Sequence, residues 1–104
     1  MAPEQMNEGR IWDEINAAAA RMNPEQERMW ECIRIMPERW AEPKYGSEGP
    51  GSWVVALMGQ TVIWYDHIEE GFTFSDFVSY GTINKYASGD LSLEGAIQWL
   101  INRL

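Results

Sequence analysis

The residues best suited to chemistry sit in one stretch, Asp66-His67-Ile68-Glu69-Glu70. His67 and Glu70 are three positions apart, a spacing that puts two side chains on one helical face and lets them share a metal. Zinc takes three or four ligands. With a single His and a single Cys in the chain, the other ligands would have to come from scattered carboxylates. A charged turn after a strand is the plainer reading. The second constellation is Cys32 as thiol nucleophile, His67 as its base and Asp66 as the group orienting the base. Cys32 falls about 60 degrees from Met29 on a helical wheel, at the edge of an apolar stripe, where a small buried hydrophobe is the better reading. Gly46, Gly49 and Gly51 form no phosphate-cradling pattern. Asp90-Leu91-Ser92-Leu93-Glu94 lacks the ligand density of a calcium loop. No catalytic, metal or cofactor-binding residue is therefore assigned, and no cofactor is expected. Asp66, His67 and Glu70 remain as a polar site of secondary interest.

These residues must be positioned by elements legible in the hydrophobic pattern. Over residues 4–22, Ile11, Ile15, Ala18 and Met22 fall on one face at the helical period, with Trp12 and Ala19 beside them. Asn23-Pro24-Glu25-Gln26 ends that helix and begins another. The residue before proline avoids the helical region, Asn23 can cap, Pro24 suits the first turn, and Gln26 occupies the capping-box position. Met29, Ile33 and Met36 form the second stripe, with Trp30 beside it, and Pro37 ends it. Residues 1–40 thus read as a helical hairpin, and residues 41–52, rich in Gly and Pro, as a loop.

Residues 53–80 read as a β-meander. Trp53–Met58 and Thr61–Asp66 flank Gly59-Gln60, with Gly at the first central position of a type II′ turn. That turn pairs Met58 with Thr61, Leu57 with Val62, Val55 with Trp64 and Val54 with Tyr65. Both faces of the hairpin are then apolar, whereas a hairpin solvated on one side alternates. Both faces are expected to be covered, by the chain's own helices or by another subunit. His67–Gly71 is a polar connection with Gly71 as its left-handed position. A third strand starts at Phe72 and runs to about Ser79; the state of residues 77–88 stays open between strand, helix and loop. Residues 90–104 form a C-terminal helix capped by Asp90 or Ser92, with the stripe Leu93, Ile97, Leu100 and Leu104. The expected fold class is α+β within one domain, residues 1–104: two N-terminal helices, an antiparallel meander of about three strands, and a C-terminal helix.

Charge narrows the partners. Sixteen acidic residues face eight basic ones, giving a net charge of −8. The excess is even along the chain, and no cluster of Lys and Arg is available to displace counterions from a phosphate backbone. Nucleic acid and anionic membranes are thus not expected as partners. The longest apolar runs, Trp53–Met58 and Val62–Tyr65, are too short to cross a bilayer. One cysteine excludes an intrachain disulfide, and the first residues, with Glu4 and Glu8, do not read as a secretion signal. The expected location is the cytoplasm. Six tryptophans are many for 104 residues, and some of their rings should lie at the core boundary or at an interface. Trp99 is the sharpest case. It lies about 120 degrees from the stripe of its helix, near Arg103, and Trp with Arg is a common pairing at binding hot spots. Trp40 and Tyr45 are further interface candidates.

Residues 53–86, above all Ile63-Trp64-Tyr65-Asp66-His67-Ile68-Glu69-Glu70-Gly71-Phe72 with Gly81-Thr82-Ile83 and Tyr86, resemble a segment of small uncharacterised bacterial proteins. The resemblance covers about a third of the chain, and His67 departs from the small polar residue expected there. It implies a bacterial source and carries no activity with it; Phe72, Gly81 and Tyr86 read equally well as fold determinants. The function expected from the residues is a non-catalytic, acidic protein-interaction domain that binds a protein partner or itself as a homodimer. A specific form is an immunity- or antitoxin-like inhibitor of a basic partner. The alternative is a small enzyme or ligand-binding domain using the Asp66–Glu70 turn and an aromatic pocket of Trp64, Tyr65 and Phe72.

Overall fold

The computed structural model describes residues 7–41, 51–85 and 87–104. Three helices, α1 (Glu8–Arg21), α2 (Pro24–Ile33) and α3 (Leu93–Asn102), accompany four strands: β1 (Arg34–Trp40), β2 (Ser52–Met58), β3 (Thr61–Asp66) and β4 (Gly71–Asp76). The strands form one antiparallel sheet in the order β1-β2-β3-β4. The fold is α+β as expected, with four strands in place of about three. Among the described residues, no helix is long and apolar enough to cross a membrane.

The helix starts follow from their caps. Asn7 accepts from the Arg10 N–H at 2.9 Å. Asn23 accepts from the Gln26 N–H at 2.8 Å while the Gln26 side chain accepts from the Asn23 N–H at 3.0 Å, closing the expected capping box. At α3 the cap is Ser92, which accepts from the Gly95 N–H at 3.1 Å.

The extra strand corrects the reading of residues 34–36 as helix and of residues 1–40 as a helical hairpin. Arg34 turns extended, with φ −64° and ψ 146°, and α2 ends at Ile33. Arg34 then pairs with Ala56 and Trp40 with Ser52, the register slipping between Arg34 and Glu38. Pro37 lies in that slip on an edge strand, where a missing N–H costs no ladder bond. Met36, expected on the helical stripe, is 69% exposed.

A second slip reassigns the sheet's faces. Met58 pairs with Thr61 and Leu57 with Val62 as expected, and Gly59 holds φ +61° in the turn. Beyond that, Ala56 pairs with Ile63 but Val54 with Trp64. Val55 is the extra residue of a bulge, which turns the strand's remaining side chains over. Trp53, Val55 and Ala56 therefore join Ile63, Tyr65 and Phe72 under the three helices, packed on Ile11, Ile15, Trp30, Leu93 and Ile97. Val54, Val62 and Trp64 face the other way and form a second cluster with Trp40 and Ile83.

That second face is covered by the chain itself. β4 stops at Asp76 rather than near Ser79, and the segment from Phe77 to Ile83 passes beneath the sheet. Phe77 N–H donates to Gln60 O at 2.8 Å, and at the far edge Ile83 N–H donates to Ala41 O at 2.8 Å. Trp40 meets Phe77 edge-on, with ring centroids 5.1 Å apart. Both apolar faces thus have intramolecular cover, one from helices and one from this irregular segment.

Candidate functional site

The Asp66–Glu70 turn is built by its own first residue. Asp66 is 1% exposed, and its carboxylate accepts from the Ile68 N–H at 3.0 Å and the Glu69 N–H at 3.4 Å. This side chain closes the turn. The left-handed residue is Glu70, at φ 55°, and not Gly71. Gly71 is required for a different reason: a Cβ there would fall 2.3 Å from the Cα of Asp90. Glycine lets the strap through Asp90 and Leu91 lie on β4, where Phe72 and Leu91 exchange backbone hydrogen bonds of 2.8 and 3.2 Å.

The two candidate constellations are not brought together. Cys32 is exposed rather than tucked into the core. It lies on α2 beside Ile101 and Leu104, and Leu104 in turn borders Thr61, the start of β3. His67 follows the other end of that strand, six residues from Thr61, a rise of roughly 20 Å. No hydrogen bond joins Cys32 and His67 among the described residues, as a nucleophile–base pair would need. Among the described residues, no group of three His, Cys, Asp or Glu side chains can hold a metal ion. The aromatic pocket of Trp64, Tyr65 and Phe72 does not form either. Neighbours along a strand point to opposite faces, so Trp64 belongs to one cluster while Tyr65 and Phe72 pair edge-on in the other, 5.2 Å between centroids. Trp64 is instead anchored through its indole N–H, which donates to Ser75 Oγ at 3.0 Å.

Of the interface candidates, Trp40 is 1% exposed and belongs to the second cluster, so it offers no surface. Tyr45 lies outside the described residues. Trp99 is the one set at the surface, 39% exposed. It stacks on Phe74 of β4 with centroids 4.1 Å apart and planes 26° from parallel, and the Arg103 guanidinium carbon lies 4.2 Å from its ring centroid. The helical offset of Trp99 thus carries it past the core stripe to β4, one of the two edge strands. Trp99, Phe74, Met58 and Leu104 line a cleft of about 410 Å³, with Asp76 and Arg103 also on its walls. Leu104, expected on the buried stripe of α3, lies past the helix end and is 82% exposed.

A second, smaller hollow of about 210 Å³ lies near the N-terminus of α3, lined by Glu14, Arg21, Tyr65, Glu70 and Asp90 among others. Glu94, in the first turn of α3, is paired through both oxygens with the Arg21 guanidinium, one contact being 3.1 Å. That pairing holds the Glu94 carboxyl below its ordinary range and raises Arg21. Tyr65 is pushed up by burial first, then by the charges of Glu14 and Glu70. Glu14 was not singled out in the sequence, and Asp90 was considered only as a helix cap and within a calcium-loop segment. They lie 51 and 25 residues from Tyr65, and no local pattern joins them.

Comparison with protein-family models, curated proteins and solved structures returns no match.

Proposed function

We propose that this chain is a non-catalytic protein-interaction domain that presents the Trp99 cleft to a basic protein partner. The observation that carries the reading is the Phe74–Trp99–Arg103 stack: a large aromatic held in place by a strand residue below and a cation beside it, yet 39% exposed. A ring already fixed in one rotamer loses little entropy on binding, and such Trp and Arg anchors dominate interface energetics. Apolar rims at Met58 and Leu104 beside the single charges Asp76 and Arg103 suit a side chain inserted from a partner. The net charge of −8 favours encounter with a basic surface. An immunity- or antitoxin-like inhibitor masking a basic protein is the specific form of this reading, and a bacterial cytoplasm is its setting.

The test is an affinity capture with the tagged protein from a bacterial lysate, read by mass spectrometry and repeated with two variants. A stoichiometric basic partner should be retained by the His67→Ala, Glu70→Ala double variant and lost with Trp99→Ala. Circular dichroism should show the fold of Trp99→Ala intact. Loss through the His67 and Glu70 changes, with Trp99→Ala still binding, would defeat the proposal.

A further inference from the structure

The hollow beside α3 has a property that its acidic rim alone would not give it. Tyr65 is 8% exposed, and its hydroxyl has no hydrogen-bond partner among the described residues. A buried hydroxyl left without a partner is costly, and such groups in folded proteins are nearly always satisfied. The ring packs edge-on against Phe72, and Tyr65 lines the hollow together with Glu14 and Glu70, whose charges act on its hydroxyl. The lining cation, Arg21, is committed to Glu94. Two carboxylates, Glu14 and Glu70, act on this hydroxyl together with the cation Arg10, and Asp90 lines the same hollow.

We infer that this hollow binds a primary alkylammonium group. The ammonium offers three N–H donors, and the hollow offers acceptors on separate elements: Glu14 from α1, Tyr65 from β3 and Glu70 from the turn. A metal ion does not fit, because no group of three ligands converges among the described residues. An anion is repelled by the rim. The Tyr65 and Phe72 rings give the methylene chain an apolar wall and the cation a π face. At about 210 Å³ the space is below the roughly 300 Å³ of a drug-sized site, and it suits one side-chain-sized group. Burial is the first cause of the raised Tyr65 pKa, and the charges of Glu14 and Glu70 add to it against the opposing Arg10. The hollow lies at the N-terminal end of α3 and Trp99 near its C-terminal end, so the two sites are independent.

The experiment is a titration of the full chain at neutral pH and fixed ionic strength, followed by backbone amide shifts, with n-butylamine in one arm and Nα-acetyl-lysine methylamide in the other. Saturable shifts at Gly71, Leu91 and Ser92 are expected. Saturation with butylamine assigns a free amine, and saturation with the blocked lysine alone assigns a protein side chain. Glu14→Gln with Glu70→Gln should weaken binding roughly tenfold or more, and Tyr65→Phe, which keeps the ring, should weaken it several-fold. Trp99→Ala should leave the titration unchanged, so this site and the partner cleft fail separately. Saturation by neither ligand, equal shifts in the double variant, or the same shifts from neutral n-butanol would each overturn the assignment.

Discussion

Gly71 and Asp90 meet backbone to backbone: a Cβ on Gly71 would lie 2.3 Å from Asp90 Cα and 2.5 Å from its carbonyl carbon. The same seam continues at Gly89, whose Cβ would fall 2.4 Å from that of Thr73. These two glycines let residues 89–91 press onto β4 and so place Asp90 at the hollow's rim and Ser92 at the start of α3.

Gly71→Ala should therefore cost about 2–3 kcal/mol, the upper range for overpacking, since backbone cannot move aside as a side chain can. Gly59→Ala is the matching control. Its Cβ would meet nothing within 4 Å, but φ is +61°, so it should cost only about 1–2 kcal/mol of left-handed strain. Urea denaturation of both variants measures the difference. If Gly71→Ala were as stable as the parent, the strap would not be seated on β4.

The Arg21–Glu94 pair joins the end of α1 to the start of α3 and should make stability depend on pH in acid. Because the folded state holds the Glu94 carboxyl below its ordinary value, the contribution is full above the unfolded-state pKa of about 4.3. It fades as pH falls through the lower, folded-state value. The pair is partly exposed, with Arg21 at 52% and Glu94 at 18%, so salt should also weaken it. Urea midpoints of the parent and Glu94→Gln should differ most near neutrality and converge in acid. A difference that stayed constant down to about pH 3 would show that the carboxylate charge is not what matters.

Much of the helical layer was legible because its signals are local. Ile11, Ile15 and Ala18 repeat at the helical period, and Asn23 to Gln26 spell their own cap. The turn at Gly59 likewise set the first two cross-strand pairs of its hairpin. What escaped depends on distant residues. β1 carries Pro37, Glu38 and Arg39, which argue against a strand until β2 is placed beside them. The bulge at Val55 has no local marker, yet it decides which face Trp53 and Val55 occupy. Trp99 could be singled out from its offset on the helix, but Phe74, its stacking partner, comes from a different element. Tyr65 was named with Trp64, though strand alternation separates the two. The residue that completes its surroundings, Glu14, is set by how α1 crosses the sheet.

One carboxylate adds a side-chain tie to the backbone bonds that hold the cover over the second face. Glu38 Oε1 accepts from Trp40 Nε1 at 3.2 Å and from the Tyr80 hydroxyl at 2.5 Å, so it ties β1 to the segment beneath the sheet. The bond to Glu38 is the main cause of the raised Tyr80 pKa. Glu38→Ala removes the acceptor of both bonds and leaves the indole N–H of Trp40, a ring 1% exposed, without that bond. A lost partner of this kind costs about 1–3 kcal/mol. The loss should fall locally before it falls globally, because opening of this segment exposes only the smaller of the two clusters. Amide hydrogen exchange should therefore accelerate at Ile83 and Ala41, whose N–H groups donate to Ala41 O and Gly81 O, more than at Ile15 or Ile97 in the helical layer. Glu38→Gln keeps an acceptor oxygen and should restore most of the protection. Were Glu38→Ala to speed exchange equally everywhere, the segment would be opening only with the whole fold, and Glu38 would be no local clasp.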